Sequence, residues 1–297
     1  MNTNNLSFTV GIPTYYGGES LIRAVDSVLA SRGVGKFDIM VTVDGNPLDA
    51  KIRQALLQRE VKLIENKNRG GQVARIKQLI NRTKTDIIIL TQDDVLFEPT
   101  TARELVNAFS KKTVTMVSGK VIPLPAKTFI ERVVQVGVSI SYTIGKNWEN
   151  SDNYFLAGGR CLAFRSSFVK KFTIPEEVLN SDTYLYFENK KQGGAFKHAE
   201  NAIYHMRSPM KIADHLKQSK KYQFVPDEIK QYLSIDINKE QPLTMTLQLH
   251  ALLTELISSP VYLIPYIVLM IYTRFAAKDM YANAKRFWDT DVSTKEL

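Results

Sequence analysis

"DIIILTQDDVLFEPTTAREL", residues 86–105, passes from an unbroken apolar run to two adjacent carboxylates and then to a helix start. The run is rich in isoleucine and does not alternate, as expected of a central strand covered on both faces. Thr101 and Glu104 read as a capping box, which predicts a helix from about residue 102. Asp93 and Asp94 therefore fall in a strand-to-helix loop. Adjacent carboxylates raise each other's pKa unless a cation neutralises them, and a divalent ion with oxygen ligands is one such cation. Alone, the pair reads more readily as a polar turn, because such turns are common.

The chain upstream supplies the context. "LSFTVGIP" alternates Leu6, Phe8, Val10 and Ile12 and is expected to end at Pro13, which has no ladder donor. Leu21, Val25 and Val28 follow at helical spacing, then "FDIMVTVD", a helix over about 49–59, "VKLIE", and a helix over 72–82 introduced by "NRGG". Strand alternating with helix at this rhythm predicts an α/β fold with a mostly parallel, doubly wound, Rossmann-like sheet and helices on both faces. Ligands of such sheets lie beyond the carboxyl ends of the strands. Asp44, at the end of "FDIMVTVD", thus shares an edge with Asp93 and Asp94, and the shared edge turns the pair from a polar turn into a candidate ligand site. From 113 to 206 the pattern loosens into short strands. The polar, proline-bounded stretch 225–242 is the best boundary, giving a domain over 1–230, split near 112, and a helical tail over 231–297.

The 297 residues are 44% hydrophobic and 23% charged, ordinary globular values that leave room for a sizeable core. The formal charge of +9, with lysines in small clusters, suggests an anionic partner such as a nucleotide or a phospholipid surface. Nucleic acid is not expected, because the basic clusters are scattered and no aromatic platform is interleaved with them. Cys161 is the single cysteine, which excludes an internal disulfide and a thiolate metal cage. The polar start without a secretory pattern points to a cytoplasmic setting. No G-x-x-x-x-G-K, G-x-G-x-x-G or G-x-S-x-G motif is present, so ATPase, dinucleotide oxidoreductase and serine hydrolase readings lose their main support.

Residues 256–273, "LISSPVYLIPYIVLMIYT", carry no charge. As an ideal helix they would reach about 27 Å, against a hydrocarbon core of about 30 Å. Pro260 and Pro265 argue against one straight span. Tyr262, Tyr266 and Tyr272 suit an interface, and Arg274, Lys278, Lys285 and Arg286 follow. The expectation is an interfacial or re-entrant helix with basic side chains on anionic headgroups. A single crossing, a buried helix and a dimer contact are the alternatives.

In order along the chain, "VGIPTYYGGESLIRAVDSVLAS", "VTVDGN", "NRGGQVARIKQLI", "DIIILTQDDVLFEP", "FLAGGRCLAFRSSF" and "NSDTYLYFENKKQGG" resemble the blocks of the family 2 glycosyltransferases. The resemblance implies a GT-A fold, a nucleotide-sugar donor, Mg²⁺ or Mn²⁺, and hexosyl or related transfer with inversion. The acceptor would be a saccharide or a lipid-linked hydroxyl, in polysaccharide or glycolipid synthesis at the inner face of the cell membrane. By the same resemblance Pro13, Thr14 and Tyr15 line the nucleotide pocket, Asp44 contacts the base, Arg75 lies near the diphosphate, and Gly71 is a further donor-binding residue. Asp94 matches the last aspartate of the metal-binding D-x-D signature and Asp93 its middle, while Gln92 replaces its first residue. Asp182, in "NSD", matches the catalytic base, with Ser181 in place of the preceding acid; taken alone it reads as a helix cap. Gly158 and Gly159 resemble the small residues that admit an acceptor, though a hairpin turn would also use them. His205 and Lys221 are candidate diphosphate contacts, and "QSKKY" departs too far from Q-x-x-R-W to imply processivity. A nucleotidyltransferase, which has no need of Asp182, and a non-catalytic phospholipid- or nucleic-acid-binding module are the competing readings.

Overall fold

The computed structural model describes residues 6–276 and 292–297. Eight strands form one sheet: β1 (Phe8–Thr14), β2 (Asp38–Asp44), β3 (Lys62–Asn66), β4 (Ile87–Thr91), β5 (Val95–Phe97), β6 (Val114–Pro123), β7 (Cys161–Arg165) and β8 (Ala195–Met206). Their order is β3-β2-β1-β4-β7-β6-β8-β5. The first four strands are parallel, as their alternation with helices requires. The sheet as a whole is mixed rather than purely parallel. β7 runs antiparallel to both β4 and β6, and β5 runs antiparallel to β8, while β6 and β8 are parallel. The reversal of β7 sets its amino end beside the carboxyl end of β4, with Thr91 opposite Cys161.

The helices are α1 (Glu19–Leu29), α2 (Ala50–Gln58), α3 (Gly71–Arg82), α4 (Thr101–Asn107), α5 (Phe129–Asn147), α6 (Ser166–Val169), α7 (Ser181–Lys191), α8 (Ile212–Gln223), α9 (Val225–Leu233), α10 (Ile237–Glu240), α11 (Met245–Ser258) and α12 (Pro260–Ala276). One apolar layer joins Val10, Ile12, Val41, Ile87 and Ile89 to Leu21, Leu56 and Leu105 of α1, α2 and α4. A second joins Met40, Ile88 and Leu90 to Leu79 of α3, Tyr186 of α7 and Ile229 of α9. The isoleucines of β4 serve both layers in turn, which is why that strand carries no polar face.

Two local expectations resolve differently. β1 continues through Pro13 to Thr14, because its pairing with β4 stops at Gly11 and only β2 remains as a neighbour there. Thr101 does not cap α4; its hydroxyl instead donates to the Ile203 carbonyl of β8. The 19-residue α5 interrupts the region read as short strands. It is the platform for α11 and α12, with Ser139 Oγ donating to the buried Glu255 of α11 at 2.6 Å. A Cβ at Gly137 would lie 2.7 Å from the Tyr266 ring of α12, so that close approach needs glycine. The apolar run is broken at Ser259, with Pro260 opening α12 at a position that requires no donor. Among the described residues no helix is long and apolar enough to cross a membrane. Lys278, Lys285 and Arg286 lie outside the described residues.

Candidate active site

The strand ends, the loop before β7 and the start of α7 enclose a cleft of about 350 Å³. Pro13, Thr14, Tyr15, Asp44, Gly71, Arg75, Asp93, Asp94, Gly158, Gly159, Asp182 and Lys221 all line it. Parallel strand order and the reversal of β7 together produce this convergence. His205 does not line the cleft. On β8 its neighbours Tyr204 and Met206 face the cavity, and the alternation of a strand turns His205 to the other side. There Nδ1 lies 3.0 Å from the Ile122 carbonyl oxygen and Nε2 lies 3.1 Å from Glu98.

At one end of the cleft Asp44 is buried at the carboxyl end of β2. It accepts from the backbone N–H of Gly70 at 2.7 Å and of Gly71 at 3.0 Å, and Arg75 Nε stands 3.1 Å away. Its carboxylate therefore holds the first turn of α3 against the sheet, where free N–H groups and the helix dipole favour negative charge. The Arg69 guanidinium lies over the Tyr15 ring, 4.0 Å from its centroid, and closes that wall.

In the middle, Asp93 Oδ2 accepts from Thr14 Oγ1 at 2.5 Å. Lys295 bonds Asp93 Oδ1 and reaches Asp94 Oδ2 at 3.0 Å, and Thr294 Oγ1 donates to the same Asp94 oxygen at 3.0 Å. Arg160 lies 3.6 Å from Asp94 Oδ1, an oxygen that is buried and accepts no hydrogen bond from the described residues. Burial pushes the Asp94 carboxyl up, but Lys295 and then Arg160 outweigh it and hold the carboxyl below its usual range. Lys295 is driven the other way: burial opposes its charge, and the two carboxylates more than restore it, raising the ammonium above the usual lysine range.

The donor set fits a hard divalent ion. Among the described residues no group of three or more His, Cys, Asp or Glu side chains could enclose a metal by itself. Two carboxylates, one with an orphaned buried oxygen, suit Mg²⁺ or Mn²⁺ that takes its remaining ligands from water and phosphate. Gln92 borders this centre, its amide 3.5 Å from the Gly159 carbonyl oxygen.

Asp182 stands in the first turn of α7 and belongs to a different environment. Its Oδ2 accepts from Gly159 N–H and its Oδ1 from Thr183 N–H, both at 2.9 Å. A Cβ on Gly159 would come within 2.9 Å of the Asp182 Cβ, so this backbone donor can approach only as glycine. Burial dominates and raises the Asp182 carboxyl, with the backbone donors and Lys221 offsetting part of the effect. Glu228 of α9 supports the segment from below, accepting from Asn180 N–H and Asn180 Nδ2 at 3.0 Å each.

Arg69, Arg160, Glu228, Thr294 and Lys295 are the participants that sequence reasoning missed. Arg160 directly follows the Gly158–Gly159 pair and was the most accessible of them. Thr294 and Lys295 meet Asp93 and Asp94 across some 200 positions, and no local pattern reports such a meeting.

The profile of the family described as Glycosyl transferase family 2 matches residues 9–172, more than half of the chain. No curated protein sequence matches. Solved structures do, at low identity. A mannosyltransferase from Pyrobaculum calidifontis, in complex with GDP-Man and Mn²⁺, is 16% identical over 93% of this chain and 88% of its own, with a TM-score of 0.57. TarS 1-349 of S. aureus is 11% identical over 93% and 74%, with a TM-score of 0.54. Glucosyl-3-phosphoglycerate synthase from Mycobacterium tuberculosis, with Mn²⁺, UDP and phosphoglyceric acid, is 10% identical over 76% and 78%, with a TM-score of 0.53. At these identities the likeness is one of fold, the mixed α/β GT-A architecture.

Proposed function

The chain belongs to glycosyl transferase family 2, and from that premise we propose that it moves a hexosyl or related group from a nucleoside diphosphate sugar to an acceptor hydroxyl with inversion. The observation that carries the reading is a cleft with two acidic centres of opposite character. Asp93 and Asp94 sit among cations, whereas Asp182 is buried among backbone donors with its proton affinity raised. A reaction that expels a diphosphate on one side and removes a hydroxyl proton on the other needs such a pair of environments.

Asp94, with Asp93, would hold Mg²⁺ or Mn²⁺, which when bound offsets the charge that gathers on the departing diphosphate. Arg160, Lys221 and Arg75 add fixed positive charge along that side of the cleft. Tyr15 and Arg69 present a flat, cationic wall to a nucleobase, and Asp44 keeps the adjoining turn of α3 in place. Asp182 takes the proton as the acceptor oxygen attacks the anomeric carbon. Its two bonds to Gly159 and Thr183 N–H orient the carboxylate, and each oxygen keeps a lone-pair direction for the incoming hydroxyl.

The acceptor belongs to polysaccharide or glycolipid synthesis, met at the cytoplasmic face of a membrane. Support comes from the outer face of the helical pair packed on α5. Met245, Leu249, Leu253 and Leu256 on α11, and Val261, Ile264, Val268, Ile271 and Phe275 on α12, are exposed at helical spacing and give each helix an apolar stripe.

A donor screen with Mn²⁺ or Mg²⁺, reading released nucleoside diphosphate and the anomeric configuration of the product, tests the reaction. A retained configuration would exclude Asp182 as the base of a single displacement. Flotation with anionic vesicles tests the surface: Leu253→Glu with Ile264→Glu is expected to release the protein from the vesicles, and unchanged flotation would count against it.

A further inference from the structure

Residues 293–297 are tied to several parts of the fold, and Thr294 and Lys295 among them line the cleft. Ser293 Oγ donates to Asp214 Oδ2 of α8 at 2.6 Å, and Thr294 Oγ1 donates to Asp94. The Glu296 carbonyl oxygen accepts from Arg207 Nε at 2.6 Å and from Lys127 Nζ at 3.2 Å, and the Leu297 carbonyl oxygen accepts from Arg23 of α1. Arg207 is itself fixed by the buried Glu131 of α5 at 2.8 Å. Between these anchors the Lys295 ammonium bridges Asp93 and Asp94, with its side chain only 13% exposed. Contacts to five separate segments of the fold distinguish this seat from a chance ion pair of a solvated lysine, which would be worth little.

We propose that segment 292–297 is a built-in occupant of the divalent-cation position: the Lys295 ammonium and an ion held by Asp93 and Asp94 would exclude each other, so the ion would enter only as the segment leaves. The inference rests on the reading of Asp93 and Asp94 as metal ligands. Space and charge both require the exclusion. An ammonium nitrogen about 2.8 Å from carboxylate oxygens fills the same gap as an ion held at about 2.1 Å. Within a few ångströms of each other in a buried site, the two cations would repel strongly. With Lys295 in place the two aspartates retain one negative charge, which Arg160 balances. The adjacent carboxylates are thus neutralised without an ion. Exchange of the ammonium for a divalent ion adds one positive charge and removes Thr294 from Asp94, leaving the centre ready for a diphosphate.

Mn²⁺ binding without nucleotide, measured by electron paramagnetic resonance of the free ion, tests this on the full chain. Lys295→Met is expected to bind Mn²⁺ roughly tenfold more tightly than the wild type, the factor expected when a competing charged hydrogen-bond set is removed. Lys295→Arg is expected to stay near the wild type. On the wild type itself, Mn²⁺ should raise acylation of Lys295, read by mass spectrometry, severalfold, while the exposed Lys239 stays constant. Equal Mn²⁺ affinity in wild type and Lys295→Met, with unchanged acylation, would overturn the exclusion and leave the metal reading intact. Weaker binding in Lys295→Met would overturn it too, since Lys295 would then support the ion. No Mn²⁺ binding by either protein would sink the metal assignment together with this inference.

Discussion

Asp94 and Asp182 are both buried carboxylates in one cleft, yet their surroundings push them in opposite directions. Asp94 meets an ammonium and a guanidinium and is held ionised, whereas Asp182 meets chiefly backbone N–H groups and has its proton affinity raised by burial. Burial alone therefore does not assign a role. The sign of the neighbouring charge separates a group suited to a cation from one suited to a proton.

The largest expected effect comes from erasing the proton-accepting side. Asp182→Asn should lower transfer by about 10²–10⁴-fold, the range of general base catalysis, with donor affinity preserved. Nucleotide release and donor binding measured on the same preparation check it, and full transfer with normal donor binding would end the contrast. The pH profile follows from the same shift. Because the base must be ionised and its folded pKa is raised, activity falls as pH drops through a value above the usual carboxylate range. Stability runs the other way: the contribution of Asp182 is complete below the ordinary carboxylate pKa and is lost as pH rises through the raised folded one. Because the amide nitrogen of Asp182→Asn faces a backbone N–H donor, the absolute sign of its stability change is not fixed by this shift, but the difference in unfolding temperature should move in favour of Asp182→Asn as pH rises from about 4 to about 7. A difference independent of pH would show that the raised proton affinity carries no stability.

Next in size is the removal of the cation from the other side. Lys295→Met leaves two adjacent carboxylates with Arg160 alone, and at pH 7 without metal should cost about 2 kcal/mol in denaturant unfolding. The loss should shrink in acid. The depressed pKa of Asp94 means that its stabilisation is present above the ordinary carboxylate pKa and is lost as pH falls through the lower folded value. A pH-independent loss would show that Lys295 acts through packing rather than charge. The smallest effect belongs to Glu228→Gln, which keeps an oxygen for Asn180 but removes the charge and the acceptor used by Leu179 N–H. It should cost about 1 to 2 kcal/mol of stability and change transfer by no more than about threefold. A larger loss would make Glu228 an electrostatic partner of Asp182 instead of a support.

The parallel half of the sheet was legible because β4, β2 and β1 announce themselves through local composition, and the rule that ligands sit beyond parallel strand ends then brought Asp44 to the same edge as Asp93 and Asp94. Pro13 misled because the rule about missing donors depends on which neighbour strand is still present, and that is not a property of β1. α5 escaped notice because its apolar residues Val133, Val136, Ile140 and Ile144 are buried by α11 and α12, which follow far along the chain. His205 followed a motif into the right strand, but the pleat set it on the wrong face.

The order of blocks, the burial of β4 and the residue types at the strand ends were determined by the sequence alone, since each depends on interactions within a few residues along the chain. The antiparallel turn of β7 that brings Gly159 to Asp182, and the seating of Lys295 between Asp93 and Asp94, were decided only by the tertiary structure. Both join residues far apart in sequence, where the energy comes from burial and charge balance that exist only once the cleft has closed.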